Sequence, residues 1–211
     1  MDDNSQKIEI IKNWLGTGSI NLFGLPMSGK DTVGVRLAEL LGAKFLSSGL
    51  IIRACEKETG KSYTGKGQLA PTDVFFELVL PYFSREDLKP FPLVLSSVGR
   101  WSGEEDEIIA ATQSSGHEIK AVILLQISEK DVLERWEAAR ILGDRGDRDD
   151  DREQSIFETR CQEFREKTMP VISHYRALNI LIDVDADQDR EHVFQEVVDK
   201  LYLSAMNHQN Q

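Results

Sequence analysis

Nine consecutive residues, Gly24-Leu25-Pro26-Met27-Ser28-Gly29-Lys30-Asp31-Thr32, have the types and spacing to hold a polyphosphate. Two glycines let a chain curl so that successive backbone N–H groups point inward around an anion. Lys30 can carry an ammonium to the outer phosphates, and Thr32 can offer a hydroxyl. The alternative, a glycine-rich turn that binds nothing, leaves the lysine without a reason.

The flanking residues supply the frame that such a cradle needs. Ile20-Asn21-Leu22-Phe23 reads as a buried strand ahead of the loop. Val33, Arg36-Leu37 and Leu40-Leu41 read as a helix after it, stopped by Gly42. The helix N-terminus adds about half a positive charge at the loop. The spacing Gly24-x4-Gly29-Lys30 fits the P-loop with one departure: Asp31 stands where that pattern has Ser or Thr, and Thr32 comes one place late. A carboxylate there repels bound phosphate unless it points away or meets a cation.

A chain of 211 residues can fold as one sizeable α/β domain, and no internal repeat or low-complexity linker divides it. Its net charge of −11 argues against a broad nucleic-acid footprint, which needs a basic surface. An acidic chain can still bind nucleotides if its arginines converge on one cleft. Cys55 and Cys161 sit in helical patterns without metal-ligand spacing and read as neutral thiols of a reducing compartment. No signal-peptide pattern is present, and no apolar stretch approaches about 18 residues. The expectation is a soluble cytoplasmic monomer with no nucleic-acid or membrane partner.

Taken in order, residues 1–18 hold a short amphipathic piece, Ile8, Ile10-Ile11 and Trp14-Leu15, expected as a helix on the outside of the domain. Lys44-Phe45-Leu46 is a brief strand, after which Ser47 or Ser48 can cap a helix with Arg53 one turn inside it. Residues 60–71 are loop-like, and a further helix starts at Thr72 or Asp73. This excursion is longer than a plain crossover and suits a small mobile subdomain that holds a substrate. Leu93-Val94-Leu95 centres a buried strand, and Arg100 follows at the edge where ligands of open parallel sheets sit. Ala121 to Leu125 is the clearest buried strand. Ser102-Gly103-Glu104-Glu105 and Ser128-Glu129-Lys130-Asp131 both have capping-box spacing, and the helix after the second carries Arg135. The charged run from Gly143 to Arg152 reads either as a solvated loop or as a source of arginines for the cleft. A helix with Ile156-Phe157, Arg160 and Phe164 is broken or restarted at Pro170; Asn179 to Val184 is a fifth strand, and Val193 to Leu201 a closing helix. Five strands alternating with helices make a doubly wound parallel sheet.

The Gly-x-Pro-x-Ser-Gly-Lys-x-Thr loop, Ser47-Ser48-Gly49 with Arg53, Ser96-Ser97-Val98-Gly99-Arg100, and Arg160 with Thr168-Met169-Pro170-Val171-Ile172 and Tyr175 lie in one order at consistent spacing. From about Ile20 to Leu201 this resembles the adenylate kinase family of P-loop nucleoside monophosphate kinases, in a divergent, short-lid form without zinc. The resemblance implies strand order 2-3-1-4-5 and a single kinase domain over 1–211. Its core would be 19–47, 72–140 and 152–205, with an N-terminal extension 1–18, a monophosphate-binding insertion about 48–71 and a lid about 141–151. It implies reversible transfer of the ATP γ-phosphoryl group to a nucleoside monophosphate, AMP first. Pro26, Met27, Ser28, Gly29, Lys30, Asp31, Thr32 and Arg135 would bind ATP, with Arg135 packed on the donor base. Ser48, Arg53, Arg100 and Glu104 would bind the acceptor, and Lys30, Arg100, Arg148 and Arg160 would act on the transferring group. Arg148 falls one place off the spacing counted back from Arg160. Magnesium would enter with ATP, held through phosphates and waters near Thr32 and Ser96 rather than by direct protein ligands.

Three departures bear on activity. Ser96 replaces the family aspartate that helps hold the water shell of magnesium. Glu104 replaces the glutamine that reads the acceptor adenine, and a carboxylate cannot donate as an amide does. Glu104 can equally be an acid placed in a first helical turn for its dipole. Ala139 stands where a further arginine is usual, with Arg140 beside it. These leave two rival readings: a kinase for UMP or CMP, or a nucleotide-binding protein with little turnover.

Overall fold

The computed structural model describes residues 3–142 and 153–209. Its strands β1 (Ser19–Gly24), β2 (Lys44–Ser47), β3 (Leu93–Ser96), β4 (Ile119–Gln126) and β5 (Leu181–Asp185) form one sheet in the order β2-β3-β1-β4-β5. Every pairing is parallel. The expected class and strand order are therefore observed. Leu22 pairs with Ser96 and Ser96 with Ser47, while Gly24 pairs with Leu125. That register brings the loop after β1, the start of the helix after β2 and the turn after β3 to one edge of the sheet.

Helices cover both faces, which is why the central strands carry apolar side chains on both sides. Ile20, Leu22, Ala121 and Ile123 pack under α1 (Asp3–Leu15), α2 (Lys30–Leu41) and α9 (Arg190–Gln209). Phe23, Leu95, Val122 and Leu124 pack on the opposite face. There they meet α3 (Ser48–Thr59), α4 (Thr72–Phe83), α5 (Glu105–Ser114) and α8 (Met169–Ala177). The amphipathic N-terminal piece is α1, and its Ile11 and Leu15 are completely enclosed in the first core. A third, smaller core joins Leu25 of the loop to Val132 and Trp136 of α6 (Glu129–Leu142) and to Phe157 and Cys161 of α7 (Gln154–Glu163). The loop therefore rests on packed side chains.

Local details depart from the pattern reading. Neither serine caps α3 through its side chain: Ser47 makes no such bond, and the Ser48 hydroxyl donates instead to the Ser97 carbonyl at 2.6 Å. Ser102 does not cap α5, whereas the Ser128 hydroxyl does accept the Asp131 N–H at 3.1 Å. Between α7 and α8, Phe164–Thr168 forms a π-helical turn just before Pro170. Residues 141 and 142 finish α6, and the rest of the expected lid, with Arg148, lies outside the described residues.

Candidate active site

The loop from Leu25 to Gly29 joins β1 to α2, and its shape depends on two glycines. A Cβ on Gly24 would come within 2.5 Å of the Ser28 Oγ. Gly29 holds φ of 89° at the N-cap of α2, a conformation that costs an L side chain about 1–2 kcal/mol. Met27 takes φ of 70° although it has a side chain, local strain of the kind that collects at ligand sites. The first N–H groups of α2 have no intrahelical acceptor by construction and open onto the loop. The Ser28 hydroxyl is buried without a protein partner among the described residues. Lys30, Asp31 and Thr32 of the first turn line a cavity of about 310 Å³.

The same cavity is lined by Arg53 from α3, Arg100 from the turn after β3 and Arg160 from α7. The Arg100 backbone is fixed on both sides. Its N–H donates to Glu104 at 2.9 Å, and its carbonyl accepts the Thr168 hydroxyl at 3.2 Å. The turn itself is tied to the sheet by Asn21, which donates to the Val98 carbonyl at 2.8 Å and accepts the Val98 N–H at 3.3 Å. Loss of water around the Arg100 guanidinium, then the charges of Arg160 and Arg53, push its pKa down to about 10, while Asp31 and Glu104 act in the opposite sense. It remains a cation at neutral pH. Three guanidiniums around one cavity, two of them depressing the third, form a site that gains from receiving a multiply charged anion.

Glu104 is buried, and both its oxygens are engaged within the protein. One accepts the N–H groups of Arg100 at 2.9 Å and Trp101 at 3.1 Å; the other accepts the Thr72 hydroxyl at 2.8 Å. Burial raises its pKa against the effect of these donors. Of the two sequence readings of Glu104, this geometry favours a structural acid over a reader of bases. Its donors are turn N–H groups and a hydroxyl of α4, and it precedes α5 at the N-cap position.

A wider groove opens on the other side of the loop, between Met27 and Thr32, Arg135 and Ala139 of α6, and Gln188 to Phe194. Met27, Gly29 and Thr32 line both spaces, so groove and cavity are contiguous. The Arg135 guanidinium donates to the Ala186 carbonyl at 2.7 Å at the end of β5. Arg36 lies over the Phe194 ring, 3.9 Å from its centre, and donates to Glu191 at 2.7 Å. On the opposite side, the loop before α4 is tied to α7. The Leu69 N–H donates to Glu163 at 3.2 Å, and a Cβ on Gly67 would lie 2.7 Å from the Ile156 carbonyl.

All the expected site residues within the described part thus stand at one edge of the sheet. Ser48 and Glu104 are there with their polar atoms bonded inside the protein. Sequence reasoning missed several supporting residues. Asn21 carried a signal, an amide inside an apolar run. Trp101 carried a weaker one, an aromatic beside Arg100; its indole N–H donates to the Ala70 carbonyl at 3.0 Å. Thr72, Glu163 and Arg36 carried none, because their partners are distant in sequence.

Ser96 and Asp31, two of the departures noted above, meet in the cavity. The Ser96 hydroxyl donates to the Asp31 carboxylate at 2.5 Å.

Comparison with known proteins accords with this geometry. Residues 23–157 match the family described as AAA domain. The chain is 26% identical over 201 residues to an adenylate kinase of Streptococcus gordonii, covering 83% of this chain and 94% of that protein. It is also 26% identical over 202 residues to an adenylate kinase of Streptococcus suis, with the same coverage. Among solved structures, a gluconokinase from Sinorhizobium meliloti superposes with a TM-score of 0.60 at 21% identity, covering 93% of this chain and 98% of the other. At that identity the likeness speaks for the fold alone.

Proposed function

Because this chain belongs to the AAA domain family and has the fold and loop of a P-loop kinase, we propose that it is a nucleoside monophosphate kinase. It transfers the γ-phosphoryl group of ATP reversibly to a monophosphate, with AMP the first candidate. The observation that carries the reading is the cavity of about 310 Å³ lined by Lys30 and the first turn of α2 together with Arg53, Arg100 and Arg160. Such a space has cationic walls for two phosphates that face each other.

The bond formed joins an acceptor phosphate oxygen to the γ-phosphorus, and the bond broken joins that phosphorus to the β–γ bridging oxygen. The acceptor oxygen is already largely ionised near neutral pH, so no strong general base is required. The difficulty is electrostatic. Two unit anions about 4 Å apart repel by about 4 kcal/mol at an effective dielectric constant of 20. Lys30 and the loop N–H groups hold the donor phosphates. Arg53 and Arg100 hold the acceptor with planar forks that bind phosphate bidentately. Arg160 faces the space between them. The contiguous groove beside Arg135 accommodates the donor base.

Magnesium suits this donor set. The Asp31 carboxylate and the Thr32 and Ser96 hydroxyls are hard oxygens on the cavity wall, and this ion keeps several of its waters. When bound with ATP, it neutralises charge on the β- and γ-oxygens.

The test is ADP formation from MgATP with AMP, CMP, UMP, GMP and dAMP offered in turn. Acceptor-dependent turnover with AMP leading supports the proposal. Preference for UMP or CMP moves the acceptor assignment. ATP binding with no turnover on any of them refutes the kinase reading.

A further inference from the structure

The contact between Asp31 and Ser96 joins residues 65 positions apart, and both side chains line the phosphate cavity. Asp31 belongs to the first turn of α2, next to Lys30; Ser96 ends β3 and is 2% exposed. A carboxylate on the wall of an anion site repels its ligand unless a cation lies between them. The serine hydroxyl fixes one carboxylate oxygen through a short charge-assisted bond, which selects one rotamer of Asp31. Thr32 adds a hydroxyl to the same wall.

We propose that Asp31 and Ser96 act as one unit that orients the waters of a magnesium ion bound with the donor nucleotide, Asp31 as the acceptor of water hydrogens and Ser96 as its positioner. The inference deepens the reading above, on whose donor half alone it rests. It assigns to the first helical turn a carboxylate that could equally be delivered from the strand end. The two side chains are in hydrogen-bond contact, so a carboxylate from either backbone position enters the same part of the cavity. The rival role for Asp31 is a plain counter-ion to Arg100, whose charge it lies close enough to favour. The two roles differ in what the metal does. A counter-ion weakens ATP binding with or without magnesium, whereas a water-orienting carboxylate strengthens it only with magnesium.

Calorimetric titration of ATP with and without MgCl₂ gives the factor by which the metal tightens binding, with no acceptor present. Asp31→Asn keeps shape and removes charge; it should lower that factor about tenfold, the usual scale for outer-sphere carboxylates. Ser96→Ala should lower it less. The exchange variant, Asp31→Ser with Ser96→Asp, should recover most of it, with circular dichroism confirming that each variant is folded. An unchanged factor in Asp31→Asn, or equal tightening with and without metal, overturns the proposal in favour of the counter-ion. A folded exchange variant whose factor matches that of Asp31→Asn overturns the claim that the two residues form a unit. Loss of the factor in Asp31→Asn supports the proposal even if no monophosphate is phosphorylated, in which case only the acceptor assignment falls.

Discussion

Replacing Glu104 distinguishes a residue that builds the site from one that reads a base. In Glu104→Ala, the N–H groups of Arg100 and Trp101 and the Thr72 hydroxyl lose their acceptor in a buried place. Each unsatisfied buried donor costs about 1–3 kcal/mol, so the variant should lose about 3 kcal/mol or more. For a chain of this length that is about 6–12 °C in Tm. Glu104→Gln keeps an oxygen for the two N–H groups, and its amide can donate to the Thr72 oxygen. It should stay within about 1 kcal/mol of the parent. The pH dependence has a definite sign. Burial raises the Glu104 pKa above its ordinary 4.5, so the folded protein holds this proton to higher pH than the unfolded chain does. That contribution to stability is present in full below 4.5 and declines as pH rises through the raised folded pKa, and Glu104→Gln should remove the decline. Thermal unfolding between pH 4 and 8, together with KM for AMP, CMP and UMP, measures both effects. A Glu104→Gln variant of parental stability whose preference among the three bases shifts tenfold would refute the structural role.

Other consequences follow from the same geometry. Lys30→Met should leave the fold intact by circular dichroism and lower kcat at least about a hundredfold, the scale for removing one preorganised charge partner. Gly29→Ala meets open space, so its cost should be backbone strain alone, about 1–2 kcal/mol of stability by denaturant titration. Burial pushes the Cys161 thiol up to about 11, while Cys55 is only half-buried. A thiol reagent at pH 8 should therefore label one cysteine quickly and Cys161 only on unfolding, with peptide mapping to identify the site.

What could be read in advance follows from how local each signal is. The strand, loop and helix around Lys30 were legible because the apolar run, the glycines and the 3.6-residue period are contiguous. Arg53 and Arg100 were legible because each follows a strand end, and parallel pairing sends those ends to one edge. The capping-box spacing held at Ser128 and failed at Ser102. At the second place the neighbouring acids accept turn N–H groups, Glu104 from Arg100 and Trp101, and Glu105 from Gly103 at 2.5 Å. Ser48 had the right type for a cap, yet its hydroxyl found a carbonyl 49 residues away. Such partnerships depend on the assembled sheet, and no window of neighbouring residues contains them. The bond between Asp31 and Ser96 is the sharpest case: each looked like a defect by itself, and only the fold brings them together.

The tie between the loop before α4 and α7 has a thermodynamic consequence. Gly67 and Leu69 line one pocket with Arg53, Arg100 and Arg160, and the helix they touch is the one that carries Arg160. On the proposed kinase reading, a first substrate that holds this support in place spares the second the cost of doing so. Coupling of this kind is reciprocal: the factor by which the donor tightens the acceptor equals the factor by which the acceptor tightens the donor. On that reading the pair of ligands binds more tightly than the two separate affinities predict.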